Sequence, residues 1–288
     1  MNGTTTWQIG DRQVVPGQPP LILGIVNVTP DSFSDGGRFY SADRAIAHGL
    51  ELIRQGADLL DIGGESSRPG AEPIDTAEEL RRVVPVVRGL ASAGVPLSVD
   101  TTKAEVADQA LAAGACIIND ITALRGDPEL AEVVRRHRAS LILMHMQGTP
   151  QTMQLNPQYE DVVGEVVAFL QARLQAATDL GIARERVVVD PGIGFGKTLE
   201  HNLQLLRGLD RLAVLERPVC LGVSRKGFLG QLLDRPIEER LAGSLAVACY
   251  VLARQAAGIL RVHDVAATRD AVRLYLALQN AANRTTEA

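Results

Sequence analysis

LILGIVNVTPDSFSDGG, residues 21–37, sets the frame for the whole chain. Residues 21–28 are aliphatic or β-branched except for Gly24 and Asn27, too apolar for a strand with one wet face, and so read as a central strand of a parallel sheet. Polarity arrives abruptly at its end. Asn27 closes the strand, then Thr29, Pro30, Asp31 and Ser32, followed by Asp35, Gly36 and Gly37, supply turn chemistry, with Phe33 alone between two acids. A buried strand that empties into a loop of Asn, Asp and Ser is how α/β proteins place reactive groups on a rigid scaffold.

The same alternation recurs along the chain. Short apolar runs at 59–63, 97–99, 117–118, 140–146, 187–189, 219–222 and 259–262 alternate with helical patterns near 43–55, 77–92, 103–113, 128–138, 198–208 and 236–257. A closing helix covers 266–283, and Val163, Val167, Leu170 and Leu174 give a further helix one buried face. Ser41, Thr76-x-x-Glu79 and Thr102-x-x-Glu105 are expected to cap helices, and Pro85 to kink or break the second one.

Eight strand-then-helix units in about 250 residues define an α/β fold, a (β/α)8 TIM barrel forming one domain over 1–288. An open doubly wound sheet usually has fewer strands and a glycine fingerprint after the first, and none follows residue 28. Residues 5–15 alternate around Gly10 and Asp11, which predicts a short β-hairpin in an N-terminal extension, 1–20, closing one end of the barrel.

Composition narrows the partners. With 288 residues and 46% hydrophobic content the chain can bury a large core. A net charge of −5 and a pI near 5.6 argue against a generic nucleic-acid binder, so any anion site must be a local cluster of Arg and Lys. Cys116, Cys220 and Cys249 lie far apart in apolar runs, which predicts buried reduced thiols and a cytoplasmic location. Residues 1–13 lack leader character, and the apolar run at 241–253 is shorter than the roughly 20 residues of a membrane span, so no membrane partner is expected. The segment LAGSLAVACYVLARQAAG, 241–258, is apolar almost all round, more than one barrel face needs, and is expected to form a homodimer interface.

Polar residues collect at the C-terminal ends of the predicted strands, the face on which such barrels do chemistry. They are Asn27, the run 65–68, Asp100, Asn119 with Asp120, Met144 with His145, Asp190, the run 224–226, and Arg261 with His263. Several familiar chemistries fail. The five histidines form no HxH or HExxH pair for zinc, and GVSRK (222–226) lacks the second glycine of a nucleophile elbow. DPGIGFGKT (190–198) has Pro191 where a P-loop needs its first glycine and Lys197 where a dinucleotide loop needs its last. Its glycines either let backbone approach something flat or simply turn the chain.

What remains is a pocket of two characters. Asp100, Asn119, Asp190 and Lys226 suit the edge of a fused nitrogen heterocycle, and Asn27, Arg68, Arg261 and His263 suit a polyanion. Buried alone, Asp100 and Asp190 would be costly, so they pair with Lys226 and backbone donors or meet a ligand bearing N–H groups.

NVTPDSFSDGG (27–37), DIGGESSRPGA (61–71), SVDTTK (98–103), INDI (118–121), LMHMQGTP (143–150), DPGIGFGK (190–197), GVSRK (222–226) and RVHDV (261–265) together resemble, in order and spacing, the dihydropteroate synthase family of folate biosynthesis. The resemblance implies condensation of 6-hydroxymethyl-7,8-dihydropterin diphosphate with 4-aminobenzoate, using Mg²⁺. It assigns the pterin to Asp100, Asn119, Met144, Asp190, Phe195, Lys226 and Arg261, and the diphosphate to Asn27, Arg68, Arg261 and His263, with Asn27 also meeting the metal. Ser67, Arg68, Pro69, Lys226 and Gly227 would face 4-aminobenzoate. Asp31, Phe33 and Asp35 would act from a closing loop, joining Arg68 and Lys226 in catalysis, and that loop is expected to be the least ordered part of the unliganded protein.

Ser67 stands where the family usually has Thr, and Gly227 where many members have Ser or a larger residue, both on the 4-aminobenzoate side. The competing readings are a methyltetrahydrofolate methyltransferase, which lacks the NVTPDSF and SSRPGA loops together, and a pterin-binding paralogue without turnover.

Overall fold

The computed structural model describes residues 5–17, 19–28 and 40–285. The expected loop residues Thr29, Pro30, Asp31, Phe33 and Asp35 lie outside the described residues. A hairpin of β1 (Trp7–Ile9) and β2 (Arg12–Val14) precedes β3 (Leu21–Asn27), α1 (Tyr40–Arg54) and β4 (Leu59–Gly63). Next come α2 (Thr76–Leu90), β5 (Leu97–Asp100), α3 (Ala104–Ala112), β6 (Ile117–Asp120), α4 (Leu130–Arg136) and β7 (Ser140–Met144). The chain ends with α5 (Val162–Asp179), β8 (Val187–Asp190), α6 (Leu199–Arg207), β9 (Cys220–Gly222), α7 (Gly227–Leu233), α8 (Leu241–Ala253), β10 (Ile259–Val262) and α9 (Val265–Thr285).

The eight strands β3 to β10 form one parallel sheet in the order β8-β7-β6-β5-β4-β3-β10-β9. A parallel bridge between Val189 and Val219, with the Val189 N–H donating to the Pro218 carbonyl at 3.1 Å, brings β8 to the start of β9 and closes the barrel. The predicted TIM barrel is the observed fold.

Alternation along each strand separates two cores. Outward residues such as Ile22, Leu60, Val99, Ile118, Leu141 and Val189 pack under the helices. Inward residues at the strand starts, Leu23, Leu59, Ile117, Ile142, Val188, Cys220 and Ile259, meet Trp7 and Ile9 of the hairpin. Trp7 is fully buried, with its indole N–H on the Arg186 carbonyl at 3.1 Å. The hairpin therefore closes the N-terminal end of the barrel, as its sequence suggested.

Local signals were less faithful. Helix α2 is capped by Asp75, whose carboxylate accepts the Glu78 N–H at 2.7 Å, so Thr76 lies inside the helix. Helix α3 takes its N-terminal bond from Asp127 of a neighbouring loop, 2.8 Å from the Ala104 N–H, and Thr102 plays no capping part. The reciprocal box that does form is Thr198 with His201 at the start of α6. Pro85 sits within α2 on its exposed side, and the helix runs on through it. On α5 the buried stripe uses Val166 and leaves Val167 half-buried.

Trp7→Ala removes the largest side chain of the bottom plug and should cost about 3 kcal/mol or more in urea unfolding. Turnover at permissive temperature should be unchanged, because the plug is at the opposite end from the strand C-termini.

Candidate active site

The C-terminal strand ends carry a continuous polar row. Asn27 pairs in register with Gly63, Gly63 with Asp100, and Asp100 with Asn119, and further round Met144 lies beside Asp190. One cavity is lined by Ser67, Asp100, Asn119, Met144, Asp190, Phe195, Lys226 and Arg261, eight of the residues expected from sequence, together with Ile121, Gly192, Ile193 and Gly222. Arg68 and Pro69 are exposed on the segment that follows Ser67, and Gly227 opens α7 with free space where a Cβ would stand. Asp120, by contrast, points out of the barrel. It accepts the Thr122 N–H at 2.8 Å, the Thr122 hydroxyl at 2.6 Å and the Leu124 N–H at 2.6 Å, building a turn in which Ala123 and Leu124 both have positive φ.

Arg261 organises the floor of this cavity. Its Nε donates to Asp61 at 2.6 Å and its Nη2 to Asp100 at 2.9 Å, while the Asn119 amide donates to the same Asp61 oxygen at 3.1 Å. Asp100 thus finds its cation in Arg261, a partner in neither of the alternatives that the sequence left open, Lys226 with backbone donors or a ligand bearing N–H groups. Asp61 is fully buried and touches two cavity residues, yet sequence reasoning passed over it. Strand alternation was the available signal, since Asp61 shares its inward parity with Leu59.

The glycine loop is explained by backbone contact. Gly192, Gly194 and Gly196 all have positive φ, and a Cβ on Gly192 or Gly196 would stand 1.9 Å from the His145 carbonyl oxygen or 2.4 Å from that of Gln147. The close neighbour is the 145–147 segment of the protein itself. Lys197, also missed, pins this loop from below, its ammonium donating to the Gly192 and Phe195 carbonyls and to His145 Nδ1, each at 2.9 Å. Phe195 is thereby held over the cavity with Lys226 Nζ 4.0 Å from its ring centroid.

Burial sets the electrostatics. It raises Asp100 to about 7 despite the Arg261 charge, and raises Asp190 although the Gly192 N–H at 2.7 Å, Lys226, Arg261 and Lys197 pull the other way. Burial lowers Lys226 to about 8 and Lys197 to about 7, Asp190 opposing in both cases. These are groups whose proton is easily moved by a ligand that supplies or removes hydrogen bonds. His263 is lowered to about 4 by burial and by the Arg261 and Arg225 charges, with Arg68 adding to the same effect. Ser224 Oγ accepts the His263 N–H at 3.2 Å and lies 3.1 Å from Nδ1, so its hydroxyl proton can go to Nδ1 and leave Nε2–H as a donor. In the unliganded protein His263 is therefore a neutral ring able to donate from Nε2.

With this geometry in place, a family model described as pterin binding enzyme matches residues 23–263, and the chain is one of these pterin-binding barrel enzymes. Dihydropteroate synthases are 46% identical to it in Synechocystis sp., covering 87% of both chains, and 46% identical in Escherichia coli K12, covering 88% of this chain and 90% of that one. The Xanthomonas albilineans dihydropteroate synthase with 4-aminobenzoic acid superposes with a TM-score of 0.89 at 48% identity over 96% and 99% of the two chains. The same bacterium's enzyme in complex with 7,8-dihydropteroate gives 0.84 at 46% identity over 95% and 98%. The chain belongs to the dihydropteroate synthase family.

His145, lowered to about 3 mainly by burial, and His263 should both remain neutral at pH 5 in the unliganded protein. An unfolded chain protonates them near 6.5, so both withdraw stability as pH falls from 6.5 toward their folded values. NMR titration of the imidazole nitrogens checks this, and titration of either ring near 6.5 would contradict it.

Proposed function

We infer that the cavity condenses 6-hydroxymethyl-7,8-dihydropterin diphosphate with 4-aminobenzoate to 7,8-dihydropteroate and pyrophosphate, making the chain a transferase. The observation that carries this reading is the convergence of Asp100, Asn119, Asp190 and Lys226 in one cavity. Acceptors on Asp100 and Asp190 match the N–H groups of a pterin edge, the Asn119 amide and Lys226 match its acceptors, and Met144 and Phe195 cover its ring faces. Burial strips these carboxylates of water and raises both, and the N–H groups of a bound pterin would replace the lost hydrogen bonds.

The diphosphate points toward Asn27, Arg68 and His263. As the carbon–oxygen bond breaks in an SN1-like path, negative charge gathers on the leaving group, where the Arg68 guanidinium and the His263 Nε2–H stabilise it. Arg261, held by Asp61 and Asp100, adds its charge at the junction of the two halves. The arylamine then needs positioning more than activation, which Ser67, Arg68 and Pro69 provide from the loop after β4, with Lys226 and Gly227 opposite.

Among the described residues no group of three His, Cys, Asp or Glu side chains could hold a metal. The Asn27 amide oxygen at the end of β3 is a hard donor, and with diphosphate oxygens and water it fits Mg²⁺. Bound there, Mg²⁺ supplies further charge neutralisation on the departing diphosphate.

Association as a homodimer is supported by α8, whose Ala242, Ala246 and Tyr250 face outward with Leu245 and Cys249 half-buried, and by the exposed Leu232 and Leu233 on α7 and Leu274 and Leu278 on α9. Light scattering at micromolar concentration should give twice the chain mass, and a monomer would end this reading. No helix among the described residues is long and apolar enough to cross a membrane. Of the three cysteines only Cys220 is fully buried, Cys116 and Cys249 being half-buried, and all are free, which fits a reducing cytoplasm.

Purified protein given both substrates and Mg²⁺ should release pyrophosphate, and a folded protein that releases none refutes the assignment. Arg68→Ala, which removes one transition-state charge contact, should cost on the order of 3 kcal/mol, roughly a hundredfold in rate. An unchanged rate would remove Arg68 from the site.

A further inference from the structure

Lys103 lies outside the cavity, at the start of α3, and its three ammonium donors are all engaged. They reach Glu65 Oε2 at 2.6 Å, Glu79 Oε2 at 2.5 Å and the Ile74 carbonyl at 2.9 Å. Glu65 also accepts the Ile74 N–H at 3.2 Å, so one carboxylate and one ammonium close the base of the loop that runs from Gly64 to Asp75. Burial disfavours the ammonium, but the hydrogen bonds to Glu65 and Glu79 outweigh it and hold Lys103 above its ordinary pKa.

The anchor itself is rigid. Glu79 is 1% exposed on α2, and a Cβ on Gly64 would stand 2.7 Å from Val83 and 3.2 Å from Glu79, so the chain leaving β4 is pressed onto that helix. Arg82 adds a bond to the Gly64 carbonyl at 2.9 Å. Away from the base the loop has few ties, the Gly70 N–H reaching the Pro150 carbonyl at 3.0 Å and the Ala71 N–H the Arg68 carbonyl at 3.1 Å. Ser67, Arg68 and Pro69 ride on this span.

We propose that Lys103, through Glu65, is a positioning residue for the arylamine subsite: it joins both ends of the 64–75 loop to α2 and so fixes Ser67, Arg68 and Pro69 over the cavity. This rests on the functional reading above. The pterin contacts carried by strand ends, Asp100, Asn119, Met144, Asp190 and Arg261, make no hydrogen bond to Glu65 or Lys103.

The decisive variant is Glu65→Ala, which frees the loop base while leaving the buried Lys103–Glu79 pair intact. Lys103→Met is the companion, and because it strands Glu79 it is interpreted only if it folds. Steady-state kinetics should show KM for 4-aminobenzoate raised about tenfold or more by Glu65→Ala, with Glu65→Gln closer to wild type. Calorimetric binding of 6-hydroxymethylpterin, which lacks the diphosphate, should stay within about twofold. Amide hydrogen exchange should quicken in 66–73 without a matching change in β5 and β6. A KM for 4-aminobenzoate that rises less than threefold, or a pterin affinity that falls in parallel with it, overturns the proposal. Failure of the underlying functional reading would look different, since wild-type protein would then release no pyrophosphate.

Discussion

Arg261 inside the barrel is the interaction on which the site depends. A guanidinium held at 2.6 Å by Asp61 and at 2.9 Å by Asp100 joins the floor of the cavity to its edge, and Asp61 passes the constraint to Asn119. Around it, Lys226 and Lys197 lie near Asp190, and burial pulls Asp100, Asp190 and both lysines toward their neutral forms. Such a cluster is a weak source of stability, because each charge loses hydration that its partners only partly replace. Its value is preorganisation: the side chains that must meet a planar, polar heterocycle are already fixed by one another before it arrives.

That cluster also explains where the apolar core stops. The inward layer at the strand starts is hydrocarbon sealed by Trp7 and Ile9, one residue pair higher the same parity brings Asp61 and Ser98, and above them come Asp100, Asn119 and Asp190. Polarity rises along the barrel axis toward the mouth. The outward layer is aliphatic save for Asp120 at the end of β6 and supplies the helix packing, so the protein separates stability from function by strand face as well as by strand end.

Much of this was legible in the sequence, because periodicity and strand-end chemistry are local properties. The eight strands follow from apolar runs and the hairpin from alternation around Gly10 and Asp11, and Ser67, Asp100, Asn119, Met144, Asp190, Lys226 and Arg261 stand at or just after the ends of those runs, whereas Phe195 came only with the family resemblance. Helix caps were less legible: Thr76 and Thr102 fit the capping pattern, but Asp75 and the distant Asp127 won those N–H groups through chain geometry that no window of sequence contains. Asp61 and Lys197 stayed hidden for a related reason, since each sits within an apolar or glycine-rich run and acquires its role only from residues brought together by the barrel. Asp120 shows the converse, an acid at a strand end whose parity sends it outward to build a turn.

The two halves of the site are supported unequally, and this has a consequence for binding. Asp100, Asn119 and Asp190 are strand residues locked in the sheet register, whereas Ser67, Arg68 and Pro69 depend on a loop whose ends are clipped by Glu65 and Lys103. A ligand meeting strand-borne groups pays little ordering entropy, and one meeting loop-borne groups pays more. The heterocycle therefore meets groups already in place, whereas the arylamine subsite is only as ordered as the clip at the base of its loop. The strand-borne half thus draws its order from the sheet register and the loop-borne half from one carboxylate–ammonium contact, so the two can be perturbed separately.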